Sequence, residues 1–536
     1  MQKLLYPLFL LLAIGVFLVL SWKKPYGTSS LIGNFDPFPD SLHYIVPARN
    51  FVIGNGFIFA REGGETAINV PPLYSLTLIP IYFFISDARS YYFVNLILGV
   101  ISIILLFKIS QKLTKSVWMT GLLLFTYVTS FVIYWQTSLA MAENVLLPIC
   151  FGCLYLVLQP VNTKNVVFAT FLAVACYGSK YVSLPITLVF LFFWLWRIWT
   201  EQKKSQRLGS VLLLITLASI TFLFFNGQQF FNYISQLFQR NLHNDLQAQE
   251  QTSWLSLQYF SESFPKYFSA LMGAPIYNLW YNKAILPIGL TAFVLCWCIY
   301  AIFLLPKKRK LAVLLLASTF AQLAFLSIIL MIEGRYAFIF IPIILTGAAA
   351  MLGWLIEKGK KKFSQKTNNL IQMGIVSFLA SLLLINNFKD LKTQLLLNFK
   401  GGEMPWWQVG VQVADQFMQT EMEKTSQKPI VISSLSPFVW DFYKQNNYVI
   451  LPLSNKQDMV KEKVWEEDFD PNQLIAYYQE QLQAGRLIYL ATVGFGRNDW
   501  LILEEYKTNG FELELIKEDC VGACKIYRVN FINVIQ

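Results

Sequence analysis

Ser90-Tyr91-Tyr92-Phe93-Val94-Asn95-Leu96-Ile97-Leu98-Gly99-Val100-Ile101-Ser102-Ile103-Ile104-Leu105-Leu106-Phe107, followed at once by Lys108, is the run that decides how this chain threads a membrane. Crossing hydrocarbon takes about 20 apolar residues, and this run is long enough. Other apolar runs lie at 4–21, 72–86, 117–135, 143–159, 165–178, 181–199, 208–226, 284–305, 311–331, 335–356 and 368–386. Basic clusters punctuate them at Lys108/Lys112/Lys115, Lys203/Lys204/Arg207, Lys307-Lys308-Arg309-Lys310 and Lys358/Lys360/Lys361/Lys362/Lys366. Basic loops are retained on the cytoplasmic side. Placing all four clusters and the N-terminus there requires one crossing between the first loop and Lys108, and run 90–107 supplies it. Run 72–86 is short, opens with Pro71-Pro72 and contains Pro80, so it is expected to be re-entrant or interfacial. This threading predicts an α-helical polytopic membrane protein with about eleven transmembrane helices.

Composition agrees. Of 536 residues, 55% are hydrophobic, 16% aromatic and only 14% charged, and the mean hydropathy is +0.47. An ordinary soluble domain has neither value. Trp194, Trp196 and Trp199 cluster at a run end, where interfacial aromatic belts form. Run 4–20 is followed by Ser21-Trp22-Lys23-Lys24 without a small-x-small cleavage site, which predicts a retained first helix. The chain has 43 Lys+Arg and 32 Asp+Glu, of which 15 and 20 follow residue 387. A basic membrane part with an acidic appendix points to anionic lipid and away from nucleic acid.

Two units follow: a membrane unit over 1–387 and a soluble unit over 388–536. The soluble unit alternates strand and helix patterns, with strands at 430–432, 448–450, 487–490, 511–516 and 525–529. Helical patterns lie at 437–444, 471–484 and 499–508, so a small α/β layer is expected. It carries no Gly-x-Gly-x-x-Gly and no P-loop. Residues 22–89 form a first outer loop. Residues 227–283 form another, whose aromatics alternate with polar residues as in helices lying on a membrane.

Cys150, Cys153, Cys176, Cys296 and Cys298 sit in apolar runs and read as small core residues, while Cys520 and Cys524 could pair. No metal-ligand spacing appears. No cofactor is required by the pattern, and a divalent metal is left open.

Loop charge alone collects Asp36, Asp40, His43, Glu143, Lys180, Glu333 and Arg335 on the outer side. Each has a bland alternative. Asp40 precedes helical periodicity and could only cap a surface helix that Pro47 should kink. Asp36 precedes Pro37 and suits a turn, Glu143 suits a helix N-terminus, and Lys180 and Arg335 could snorkel to head groups. His43 could merely pack. Together, outer carboxylates and outer cations suit one chemistry: a base takes a proton from an acceptor hydroxyl while cations stabilise a departing phosphate. With no nucleotide signature, an activated donor would arrive through the bilayer.

Pro39-Asp40-Ser41-Leu42-His43-Tyr44, Ala48-Arg49-Asn50, Gly54-Asn55-Gly56-Phe57 and Pro71-Pro72-Leu73-Tyr74 resemble the first outer loop of the GT-C glycosyltransferases. The likeness is greatest to the family 39 group of protein O-mannosyltransferases and aminoarabinose lipid A transferases. Met141-Ala142-Glu143, Gly178-Ser179-Lys180-Tyr181 and Gly334-Arg335-Tyr336 match later motifs, with Ser41 and Lys180 departing from the commoner Glu and Arg.

The resemblance implies an enzyme of the plasma or inner membrane that transfers a sugar from a polyprenyl-phosphate donor to a lipid, glycan or protein hydroxyl. It implies inversion at the anomeric carbon, with active site and soluble unit outside the cytoplasm. Asp40 would be the base and Glu143 a supporting acid. Lys180, Arg335, Tyr181 and Tyr336 would hold the donor phosphate, and Asp36, His43, Arg49 and Tyr74 would line the substrate site. A polysaccharide polymerase or ligase shares these features. A transporter or flippase predicts internal repeats with mid-membrane charges, and neither occurs in the sequence.

Overall fold

The computed structural model describes residues 2–22, 41–57, 59–61, 64–66, 70–85, 89–239, 257–275, 284–329, 334–360, 362–400, 406–422, 428–433, 440, 448–452, 471–492, 499–518 and 525–531. Asp36, Asp40, Glu333, Cys520 and Cys524 lie outside them, as do residues 240–256 and 276–283 and the expected helix at 437–444 apart from Trp440.

The chain opens with α1 (Gln2–Ser21), α2 (Leu42–Val52), the hairpin β1 (Phe59–Arg61) and β2 (Gly64–Thr66), and α3 (Leu73–Tyr82). Then come α4 (Arg89–Thr114), α5 (Val117–Val128), α6 (Phe131–Gln136), α7 (Glu143–Val157), α8 (Thr163–Ser179), α9 (Leu184–Glu201) and α10 (Lys204–Gln239). The membrane part closes with α11 (Phe260–Leu271), α12 (Leu290–Leu304), α13 (Arg309–Leu326), α14 (Phe340–Lys360) and α15 (Gln365–Lys400). Among the described residues, seven helices are long and apolar enough to cross a membrane, from α1, α4, α9, α10, α13, α14 and α15. The chain is thus a polytopic helical membrane protein, and the count of eleven is not reached by length and composition alone. Helices α3, α5, α7 and α12 are apolar but shorter.

Burial ranks the helices. The span in α14 is 78% buried, against 11% for those in α10 and α15, so α14 is the axis and the other two are peripheral. Lipid tails are as apolar as leucine, so helices associate in a membrane by close packing, and small residues allow it. Gly353 of α14 is such a residue: a Cβ there would overlap the carbonyl oxygen of Leu113 in α4.

Several expectations are corrected. Run 117–135 breaks into α5 and α6, because Thr129 folds its hydroxyl back onto the Phe125 carbonyl (2.8 Å) and Ser130 turns extended. Helix α12 starts at Leu290 instead of 284, after Gly289 in the left-handed region (φ 77°). The outer loop assigned to 227–283 opens as a helix, since α10 continues to Gln239. Within it, α11 is amphipathic as expected, with Phe260, Phe264 and Phe268 stacked one turn apart. Cys150, Cys153, Cys176 and Cys298 are buried, but Cys296 is exposed. Its neighbours on α12 show the same outward face, with Phe293 at 69% exposure.

Helix α15 runs through residue 387 to Lys400, followed by α16 (Trp406–Met422), β3 (Ile430–Ser433), β4 (Val449–Pro452), α17 (Pro471–Gln483), β5 (Ile488–Ala491), α18 (Asp499–Thr508), β6 (Phe511–Glu518) and β7 (Lys525–Phe531). The strands form one sheet in the order β4-β3-β5-β7-β6. Strand β3 pairs parallel with β4 and β5, while β7 pairs antiparallel with β5 and β6. Strand side chains alternate between faces. Ile430 and Ile432 pack with Tyr478 and Tyr506 of α17 and α18. Val431 and Tyr489 join the core that includes Ala414 and Met418 of α16 and continues into the membrane helices. Both faces of β3 are covered, which explains why Ile430-Val431-Ile432-Ser433 is buried throughout.

Candidate active site

The site is assembled where α7, α8 and the start of α14 meet. Helix α8 stops at Ser179, and Lys180 is extended (φ −159°, ψ 124°) before a short 3-10 turn, Tyr181–Ser183, leads into α9. Ser183 fixes this break by donating its hydroxyl to the carbonyls of Cys176 (2.6 Å) and Lys180 (2.7 Å). Gln322 of α13 holds the turn from the other side through the Val182 carbonyl (2.8 Å). The break directs the Lys180 ammonium onto Glu143, the first residue of α7, whose Oε1 it meets in an ion pair.

Both partners are buried: Glu143 is 1% exposed and Lys180 7%. Snorkelling therefore does not describe Lys180; its charge is satisfied inside the protein. The second oxygen, Glu143 Oε2, is buried and has no hydrogen-bond partner among the described residues. A buried carboxylate oxygen with spare acceptor capacity suits an incoming hydroxyl or ammonium group.

Arg335 and Tyr336 come from the 3-10 segment Gly334–Ile339 that precedes α14. The Lys180 ammonium lies 4.5 Å from the centroid of the Tyr336 ring, and the Arg335 guanidinium 5.8 Å from it. Tyr336 thus keeps both cations near one aromatic ring, a favourable contact when water is excluded. Arg335 also donates to the Met141 sulfur at 3.7 Å, so the residue two before Glu143 touches the second cation.

Segment 137–142, between α6 and α7, carries Met141 and delivers Glu143. Its carbonyls are met by two buried amides. Asn144 shares its two amide protons among the carbonyls of Leu139 (2.8 Å), Met141 (3.2 Å) and, at the end of α6, Gln136 (3.2 Å). Asn95 of α4 donates to Thr137 (3.0 Å) and Leu139 (2.8 Å) and accepts from the Tyr74 hydroxyl (2.8 Å).

The structure brings together Glu143, Lys180, Tyr336 and Arg335, and packs Tyr181 against Tyr177 (5.2 Å between ring centroids). Asp40 and Asp36 are outside the described residues. Ser41 stands at the cap position of α2, and its carbonyl accepts from Tyr44 and Ile45 (both 3.1 Å). Helix α2 is not a surface helix: Leu42, Tyr44, Ile45, Val46, Pro47, Ala48 and Asn50 are buried, and the helix continues through Pro47. His43 and Arg49 are half-buried on α2. Tyr74 is fully buried, with its hydroxyl committed to Asn95 and its ring 5.5 Å from that of Tyr44. Asn95 and Asn144 escaped the sequence reading. An amide inside run 90–107 was the available signal, because polar groups in a span need partners.

Among the described residues, no group of three or more His, Cys, Asp or Glu side chains is arranged to hold a metal ion.

The fold of the whole chain has counterparts among solved structures. It is similar to the crystal structure of ArnT from Cupriavidus metallidurans bound to undecaprenyl phosphate, with a TM-score of 0.56 at 12% identity over 98% of each chain. ArnT from the same organism in the apo state gives a TM-score of 0.53 at 13% identity over 97% of each chain. At this identity the likeness is one of fold. No protein-family model and no curated protein matches the sequence.

Proposed function

We propose that this protein transfers a monosaccharide from a polyprenyl-phosphate donor to an acceptor hydroxyl on the extracytoplasmic face of the membrane. The observation that carries this is the buried Glu143–Lys180 pair sharing Tyr336 with Arg335, on a fold whose relative ArnT was crystallised with undecaprenyl phosphate. Cations at the end of apolar helices suit a phosphate that stays attached to a lipid.

An apolar groove of about 480 Å³ is lined from Leu184 onward, four residues after Lys180 in the chain. Leu184, Pro185 and Leu188 of α9 form one wall and Ala321, Ala324 and Phe325 of α13 the other. A prenyl chain is the ligand such a wall suits.

In the proposed mechanism Asp40 takes the proton from the acceptor oxygen, which attacks the anomeric carbon from the face opposite the phosphate. The bond between that carbon and the phosphate oxygen breaks, the electron pair leaves on the phosphate, and the anomeric centre inverts. Lys180 and Arg335 stabilise the charge that develops on the leaving phosphate. Glu143 holds Lys180 in place, and its second oxygen orients the acceptor.

Mass spectrometry of surface glycans and membrane lipids, with and without the protein, tests the proposal. A glycosylated species that disappears with the gene and returns with the wild-type copy, but not with an Asp40→Asn copy, is expected. Identical profiles in all strains would remove the assignment.

A further inference from the structure

Asn95 is 1% exposed and sits near one end of α4, where no catalytic motif falls. Its side chain spends every strong hydrogen-bonding group on holding other segments. The oxygen takes the Tyr74 hydroxyl from α3, and the amide protons go to the carbonyls of Thr137 and Leu139. Those carbonyls belong to the irregular segment between α6 and α7, whose backbone is not tied down by a helix of its own. The same segment presents Met141 to Arg335 and ends at Glu143, the partner of Lys180. On the other side, Tyr74 meets the ring of Tyr44, which is four residues after Asp40.

We infer that Asn95 is a positioning residue that sets Lys180 and Arg335 for the lipid phosphate by fixing segment 137–142, and that through Tyr74 it ties this segment to α2. The inference rests on the phosphate role given above to Lys180 and Arg335. Physically it follows from where the bonds go. Without the Asn95 amide, the Thr137 carbonyl loses its side-chain donor in a buried setting, and the segment relaxes to recover a partner. A shift there moves Met141 and Glu143 together, and both cations lose the geometry they have now.

The test is binding of undecaprenyl phosphate to the full-length protein in detergent, with thermal unfolding measured on the same samples. Asn95→Leu should weaken binding about 5- to 30-fold in the folded protein, as expected for misplacing charge-assisted contacts. Asn95→Asp keeps the size and the acceptor for Tyr74 but lacks the amide protons, and should lose affinity similarly. Ser116→Ala serves as the control for stability, since Ser116 caps α5 and makes a buried hydrogen bond to Gln372. It should lower the unfolding temperature and leave affinity unchanged.

Wild-type affinity in either folded Asn95 variant overturns the inference, as does an equal affinity loss in Ser116→Ala. If wild type and Arg335→Ala bind the lipid equally, the phosphate assignment itself is what falls.

Discussion

A general base must stay chargeable and within reach of the proton it takes, and Asp40, two residues before α2 in the sequence, is the carboxylate proposed for that role. Asp40→Asn preserves size but cannot accept the proton. Turnover should fall at least about 100-fold while lipid-donor binding is retained. Asp36→Asn should do much less, because a turn position tolerates Asn. Equal losses at both positions would point to a shared carboxylate site instead of a single base.

The Glu143–Lys180 pair makes a sharper energetic prediction. Two buried charges compensate each other, and removing one takes a buried ionic partner from the other, which typically costs about 3–5 kcal/mol. Lys180→Met and Glu143→Leu should each destabilise the protein on that scale. The double variant should be more stable than the sum of the two losses implies, since neither charge then lacks that partner. Chemical or thermal unfolding of the four proteins measures the coupling, and strictly additive losses would mean that the two side chains do not depend on each other.

At the scale of elements, Asp415 of α16 links the soluble sheet to the membrane part. It is 6% exposed and accepts from the Tyr448 hydroxyl (2.5 Å) and the Gln419 amide (2.8 Å). Burial pushes its carboxyl above the ordinary value of 3.8, outweighing the lowering by Tyr448, by the charge of Arg49 on α2, and by Gln419. A raised pKa means that the folded state favours the protonated form. Its contribution is therefore full below about 3.8, the value the unfolded chain keeps, and is lost as pH rises through the folded-state value. Asp415→Asn should remove that dependence, so its unfolding temperature should gain on wild type as pH rises from about 3.8 through the raised folded-state value, and the difference should then level off. A difference that does not change with pH would assign the dependence to another group.

The elements also show what periodicity reveals and what it does not. The strands of the C-terminal sheet were legible because short apolar runs bounded by polar and turn residues are local signals: Ile430-Val431-Ile432 falls on β3 and Val449-Ile450 on β4. The break at Lys180 was legible because a charged residue stood between two apolar runs. The hairpin β1–β2 was missed, since three-residue strands carry no period. The bend at Thr129 was missed because its cause is a side chain bonding its own backbone. The pairing of Lys180 with Glu143 is a contact across 37 positions, and composition says nothing about such partners.

The whole molecule stands or falls on the parity of its crossings. Helix α3 has 10 residues, a length of about 15 Å against a hydrocarbon thickness of about 30 Å. That is too short to cross by itself, while α4, 26 residues long, is long enough to take the chain to Lys108. If α3 does not cross, the four basic clusters stay cytoplasmic, and Glu143, Lys180, Arg335 and the soluble unit share the opposite side. Reporter fusions after Lys310 and Lys362 should therefore read as cytoplasmic, and fusions near Asp245 and at the C-terminus as extracytoplasmic. A cytoplasmic C-terminus would require α3 or another short helix to be counted differently. It would put the soluble unit and the donor cations on sides incompatible with a single reaction centre, and the proposed transfer could not be assembled from these residues.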